Sequence, residues 1–389
     1  MERLYWNNDW KFAETWEEAM KEAVYPENEM EDVRLPHTCK ELPYHYFDEH
    51  AYQMLCGYRR HFMAPEAWQG KSVELTFEGV AHDAVVYVNG TEVKAHHCGY
   101  TAFFVEIAKY LKYGEDNVLA VRVDSRENLN IPPFGYAIDY MTFGGMYREV
   151  YVQVRNKTHL ADVFIKPQIH PLQVTTEITV QNISDGITLQ QEIRKKGEGA
   201  YSPLGKKPVK QTNVQTVFPV QEIRLWEPEN PYLYEIRTSL WKNGEMIDAR
   251  VDITGFREAG FRKDGFYLNG KKLRLRGLNR HQSYPYVGYA APASMQIFDA
   301  DILKKELGVN AVRTSHYPQS QDFIRRCDEI GLLVFTEFPG WQHIGGEEWK
   351  RQAVQNLKEM IVQYRNHPSI ILWGVRINES QDDDVFYRE

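Results

Sequence analysis

The sequence predicts a multidomain chain of β plus α/β type. A jelly-roll β-sandwich over 1–154 is followed by an immunoglobulin-like β-sandwich over 155–255 and the first half of a TIM (β/α)8 barrel over 256–389. Three observations carry this. Short apolar segments separated by turn residues fill the chain up to about Gly255, several of them alternating with period two, the mark of half-buried strands. After Gly265 the rhythm changes to short apolar runs alternating with helical periodicity, the pattern of βα units around a parallel sheet. Finally, 389 residues exceed what one ordinary core organises.

In the first part, Ser72-Val73-Glu74-Leu75-Thr76-Phe77 alternates polar and apolar residues. Ala84–Val88 runs into Asn89-Gly90, a strong two-residue hairpin signal. Val118–Val123 and Glu149–Val154 add strands, and a jelly roll is the natural closure of such a set. In the second part, Thr176–Val180 reads as a strand, Gly197–Pro208 as a polar loop and Leu240–Glu245 as a hairpin. Its length of about 100 residues suits an immunoglobulin-like sandwich. Leu225–Tyr234 supplies turn prolines and core aromatics, and with no catalytic constellation in view a spacer role follows.

In the third part, Asn269-Gly270 leads into a strand at Leu273–Gly277. A helix around Asp299–Leu307 stops at Gly308, a good C-terminal cap, and a strand follows at Asn310–Arg313. A second helix gathers Phe323, Ile324 and Cys327 on one face, ends near Gly331 and hands over to Leu332–Phe335. A third spaces Trp349, Ala353, Leu357, Ile361 and Tyr364 at helical intervals before an apolar strand that starts at Ile370 and delivers Asn378-Glu379.

Composition narrows the function. A formal charge of −8 argues against a polyanion partner, since phosphate binding draws on accumulated Lys and Arg. The densest basic stretch, Arg194-Lys195-Lys196 with Lys206-Lys207, reads as a solvated loop. Nine Trp and 24 Tyr suit sheet cores, and such rings also stack on sugars. Cys39, Cys56, Cys98 and Cys327 show no CxxC spacing, so reduced thiols are expected rather than a zinc or redox site. The N-terminus from Met1 to Trp6 has no apolar leader and no transmembrane-length run occurs, so the expectation is a cytoplasmic protein without a membrane partner.

Polar residues collect where the four barrel strands stop: Asn279-Arg280-His281, Arg313-Thr314-Ser315-His316, Glu337 and Asn378-Glu379. In α/β barrels that end of the strand carries the catalytic groups. A carboxylate beside an amide suits proton transfer to a leaving oxygen. Singly, each signal is weak: Asn-Glu also caps helices, and a lone His is commonly a satisfied structural group. Four consecutive strands doing so together weigh for a site. There the arginines could hold carboxylates ionised, and the histidines could donate to substrate hydroxyls. Glycoside hydrolysis normally needs two carboxylates, and ten residues follow Glu379, so the stretch reads as half of an active site.

Arg276–His281, Asn310–Pro318, and Arg365-Asn366-His367-Pro368-Ser369 followed by Trp373 and Asn378-Glu379 resemble the signatures of glycoside hydrolase family 2. That family includes β-galactosidases, β-glucuronidases and β-mannosidases. The resemblance extends to Phe143–Val150 and Leu225–Tyr234, essentially the whole chain, and implies the domain order already read. It implies that Glu379 is the catalytic general acid/base and that Asn378 bonds the sugar 2-hydroxyl. By the same resemblance His281 and His316 surround the sugar, Arg313 lies near the nucleophile, and Asp139 reaches in from the jelly roll.

Two departures accompany it. The family's nucleophilic Glu lies on a late barrel strand, beyond Glu389, and Glu337 occupies the position of an accessory residue. Some galactosidases of the family hold magnesium with a Glu and a His after the third strand. The segment Glu337–His343 lacks that arrangement, so no cofactor is expected, and magnesium stays open without support from the motif. The expectation is a retaining hydrolase of terminal β-D-glycosides, a β-galactosidase first, with a carbohydrate as partner and no nucleic acid. A homo-oligomer stays open. The alternatives are a β-glucuronidase-type hydrolase fragment, a non-catalytic carbohydrate-binding protein, and an assembly fragment complementing a separate C-terminal chain.

Overall fold

The alternating segment Ser72–Phe77 forms a strand that pairs antiparallel with Val150–Arg155 on one side and Phe103–Glu106 on the other. With Leu4–Tyr5 at the far edge this makes a four-stranded sheet in a computed structural model that describes residues 3–45 and 48–389. Met1 and Glu2, where the reading of a leaderless N-terminus begins, lie outside the described residues. A six-stranded sheet faces it, in the order Glu31–Val33, Trp10–Ala13, Leu55–Met63, Asp116–Asp124, Asp83–Val88, Thr91–His96. Trp10, Tyr58, Leu75, Phe77, Val86 and Val121 fill the space between them. At the hairpin, Asn89 and Gly90 have φ of 49° and 82°, the left-handed pair that a tight two-residue turn demands.

The second sandwich packs the sheet His159–Ile169, Leu172–Gln181, Asn213–Pro219 against Ser202–Pro208, Ile187–Lys195, Tyr234–Lys242, Glu245–Thr254. Leu160, Val174, Leu189, Ile236 and Leu240 lie in its core. The polar loop expected through Pro208 is replaced from Ser202 by an edge strand. Its residues are mostly exposed, so no apolar alternation marks them, and edge strands tolerate proline. The basic stretch is not free either: Arg194 pairs with Glu235, Lys195 with Glu198 and Lys196 with Glu329.

In the third part four strands run parallel, in the order Gly277–Asn279, Ala311–Thr314, Leu333–Glu337, Ile370–Gly374. The helices between them are Ala293–Asp301, Gln321–Ile330 and Glu347–Tyr364. Three local expectations shift. Lys271–Leu273 closes an antiparallel three-stranded sheet with Ala259–Arg262 and Gly265–Leu268, and the first barrel strand starts only at Gly277. A side chain at Gly277 would press on the Ala311 carbonyl oxygen at 2.5 Å, so glycine permits that pairing. The first helix begins at Ala293 and widens into a π-type turn over Ile302–Glu306 before Gly308, at φ 65°, ends it. The fourth strand stops at Gly374, leaving Asn378-Glu379 in the following loop. Gly331, at φ 69°, caps the second helix as expected.

All four cysteines are buried free thiols. Among the described residues no helix is long and apolar enough to cross a membrane.

The loops and helices of the barrel part are docked on both sandwiches. Arg148, buried in the jelly roll, donates to the carbonyls of Glu78 and Tyr100 and, across the boundary, to the Pro318 carbonyl at 3.0 Å and Gln282 Oε1 at 3.2 Å. Trp226 of the second sandwich donates its indole N–H to the Asp328 carbonyl at 2.8 Å. A third link joins Glu359 on the last helix to His96, at 3.1 Å, and to the Thr101 hydroxyl, at 2.7 Å.

Burial opposes the Glu359 charge, but the His96 contact, with hydrogen bonds from Gln355 and Thr101, brings its pKa down to about 2 from 4.5. A carboxyl depressed in the folded state stabilises it above the unfolded value and loses that contribution as pH falls through the folded one. Glu359→Gln is therefore expected to flatten the decline of stability between about pH 4.5 and pH 2, read from urea midpoints across that window. An acid limb identical to that of the parent chain would show that Glu359 does not hold this interface.

Candidate active site

Glu337 is the last residue of the third barrel strand, 3% exposed, and each of its oxygens is engaged. Oε2 accepts from Arg313 Nε at 3.0 Å and Nη2 at 2.9 Å, and Oε1 lies 2.7 Å from His316 Nδ1. Arg313 comes from the neighbouring strand, whose parallel register sets Arg313 opposite Phe335 and Thr314 opposite Thr336. Its Nη2 also donates to Asn378 Oδ1 at 2.8 Å. With that oxygen held, the amide nitrogen of half-buried Asn378 remains as a donor. Arg313 thus ties the second, third and fourth strand ends into one network.

Rings enclose the network. His316 packs against Trp341 at 5.0 Å, His281 at 5.6 Å and Tyr140 at 5.9 Å. His281 Nδ1 lies 3.2 Å from the Tyr317 hydroxyl. The protein packed around His281, and then the neighbouring His316, lower its pKa, with Asp139 and Glu337 opposing. The ring is therefore neutral at neutral pH and offers one donor and one acceptor. Burial, then Tyr317, Asp139 and Glu337, push the Tyr140 hydroxyl well above its usual value, and this hydroxyl has no hydrogen-bond partner among the described residues.

Asp139 is exposed, and its charge bears on both His281 and Tyr140, so the jelly-roll loop reaches the barrel cleft. Glu379 is exposed in a left-handed turn at φ 55°, its Oε2 accepting from Gln342 Nε2 at 3.0 Å. Of the residues singled out from the sequence, Arg313 donates to Asn378 directly and meets His316 through Glu337. His281 adjoins them, and Glu379 connects through Gln342. Sequence reasoning missed Tyr140, Trp341 and Gln342, whose only signal is that Tyr140 follows Asp139 and that the other two lie in the loop after Glu337.

No cluster of three or more His, Cys, Asp and Glu suited to a metal occurs among the described residues. After the third strand, Trp341 packs on His316 and Gln342 offers Glu379 an amide donor. Chemically, the arrangement offers an open carboxylate beside an amide donor, backed by a charge-neutralised Arg–Glu pair and flanked by neutral imidazole and aromatic faces.

Three domain models of one family match in tandem: the sugar binding domain of glycosyl hydrolases family 2 over 31–155, the central family 2 domain over 158–257 and the family 2 TIM barrel domain over 260–387. A β-galactosidase of Thermoanaerobacter pseudethanolicus is 48% identical over 394 residues, covering 99% of this chain and 53% of that protein. One of Thermoanaerobacterium thermosulfurigenes is 46% identical, covering 98% of this chain and 55% of that protein. A putative β-glucuronidase of Formosa agariphila is 31% identical over 89% of this chain and 42% of its own length. Among solved structures, Bacteroides uniformis β-glucuronidase 2, covalently bound to cyclophellitol-6-carboxylate aziridine, superposes with a TM-score of 0.89 at 29% identity. That match covers 100% of this chain and 49% of the other. The chain spans about half the length of the curated relatives it matches. With three successive domains matched and the strand-end residues gathered into one cleft, the chain belongs to glycoside hydrolase family 2.

Proposed function

We propose that this chain carries the acid/base half of a retaining β-galactosidase site. The observation that carries the reading is the Arg313 network, which fixes Asn378, next to which Glu379 accepts from Gln342 through Oε2 and keeps Oε1 unencumbered. Glu379 protonates the departing oxygen and, as carboxylate, activates the water that releases the sugar. Asn378 turns its amide N–H groups to the 2-hydroxyl, a contact that strengthens as charge develops. His281 and His316 take further hydroxyls, and Asp139 completes the rim. Glu337 does not serve as nucleophile in this reading, because both its oxygens are engaged by Arg313 and His316. The nucleophile is assigned to residues outside these 389.

Galactoside is favoured over glucuronide by the β-galactosidase relatives and by charge. A glucuronide brings a carboxylate, and the site's arginine, Arg313, is already neutralised by Glu337. The test compares p-nitrophenyl β-galactoside and β-glucuronide on the protein with its complete barrel. Galactoside should be preferred in kcat/KM by about a hundredfold or more, the scale set by desolvating an unpaired carboxylate. Equal rates, or a preference for glucuronide, would refute the substrate assignment.

A further inference from the structure

The loops that follow the third and fourth barrel strands meet at one side chain. Gln342 donates its backbone N–H to the Asn378 carbonyl at 2.8 Å and its side-chain amide to Glu379 Oε2 at 3.0 Å. One residue thereby touches both members of the Asn-Glu pair. Phe338 N–H adds a bond to the Gly374 carbonyl at 3.3 Å, and a side chain at Gly340 would meet Ile377 at 3.0 Å, so glycine lets the loops close. Gln342 sits at the apex of a tight turn, at φ 51°, closed by a bond from His343 N–H to the Trp341 carbonyl. The flanks fix that turn: Trp341 packs on His316 at 5.0 Å, and His343 packs on Tyr136 at 5.1 Å and Trp349 at 5.9 Å.

An exposed carboxylate samples several rotamers unless something selects one. A neutral amide selects without adding charge, whereas Lys or Arg in its place would hold a carboxylate ionised and spoil an acid. We propose that Gln342 is the positioning residue for the proton donor, its amide holding Glu379 Oε2 so that Oε1 is left for the glycosidic oxygen. This rests on the reading of Glu379 as acid/base.

Gln342→Gly removes the amide and relaxes the left-handed backbone, so the variant should fold at least as well as the parent. On the protein with its complete barrel, kcat for an alkyl β-galactoside should fall about tenfold, the scale of one hydrogen bond to a charged group, with KM little changed. A dinitrophenyl β-galactoside, which needs little acid assistance, should keep most of its rate. Glu379→Gln is measured alongside. If that variant shows no loss selective for the poor leaving group, the acid/base reading itself fails. If it does, and Gln342→Gly slows both substrates alike or neither, the positioning role is overturned. A readout independent of turnover uses the 389-residue chain: the Gln342 side-chain amide protons, identified by their loss in Gln342→Gly, should move upfield in Glu379→Ala. Unmoved resonances would also overturn the proposal.

Discussion

On the protein with its complete barrel, if the proposed acid/base role of Glu379 holds, Glu379→Gln is expected to lower kcat/KM for alkyl β-galactosides by about a thousand- to ten-thousandfold, while dinitrophenyl β-galactoside keeps its glycosylation rate to within about tenfold. The substitution keeps the side chain's shape, and hence the bond from Gln342, but removes the proton. An alkoxide cannot depart without that proton, whereas a dinitrophenolate can. In the second step the same residue would activate water, so the activated substrate should accumulate glycosyl-enzyme, and added azide, which attacks without base help, should restore its turnover. Comparable losses on both substrates, with no azide effect, would place the acid elsewhere.

The second large effect lies in the framework. Trp226→Ala is expected to destabilise the chain by about 3–5 kcal/mol, the range for emptying a fully buried large aromatic site. Trp226 has no exposed surface and packs with Leu233, Phe266, Leu268 and Leu333, so residues of the second sandwich, the antiparallel sheet and the third barrel strand share one cluster. Its indole bonds the carbonyl of Asp328, whose carboxylate accepts from Ser369 N–H at 3.0 Å and contacts His367 just before the fourth strand. The cavity would therefore open beneath two neighbouring strands of the site. Trp226→Phe, which keeps much of the volume but loses the donor, should cost less, and urea unfolding of both variants orders them. A loss below about 1 kcal/mol for the alanine variant would show that the junction relaxes around the gap.

What could be read ahead of the structure was local. Asn89-Gly90 and Gly331 declare their turns because few residues adopt positive φ cheaply. Arg313, Glu337 and Asn378 were legible because a parallel sheet gathers its strand ends on one side. The start of the first barrel strand was not, since Leu273 and Gly277 belong to different sheets and only pairing with Ala311 tells them apart. Nor was Tyr140, whose contacts to His281, His316 and Tyr317 join segments far apart in the chain. Gln342 reaches Glu379 only because two consecutive loops both turn left-handed, which no periodicity announces.

The Arg148 socket bears on how such enzymes can be recombined. Its guanidinium spends donors on both sides of the domain boundary, on Glu78 and Tyr100 in the jelly roll and on Gln282 and Pro318 in the barrel. The stretch just ahead of it holds Asp139 and Tyr140, which face the cleft. A chimera that grafted a relative's barrel onto this jelly roll at the linker would therefore inherit a foreign wall in its substrate cleft and a buried cation facing unfamiliar carbonyls. The natural unit of exchange is the barrel together with the jelly-roll segment from Asp139 to Arg148, so crossover libraries should be cut around that segment rather than at the domain linker.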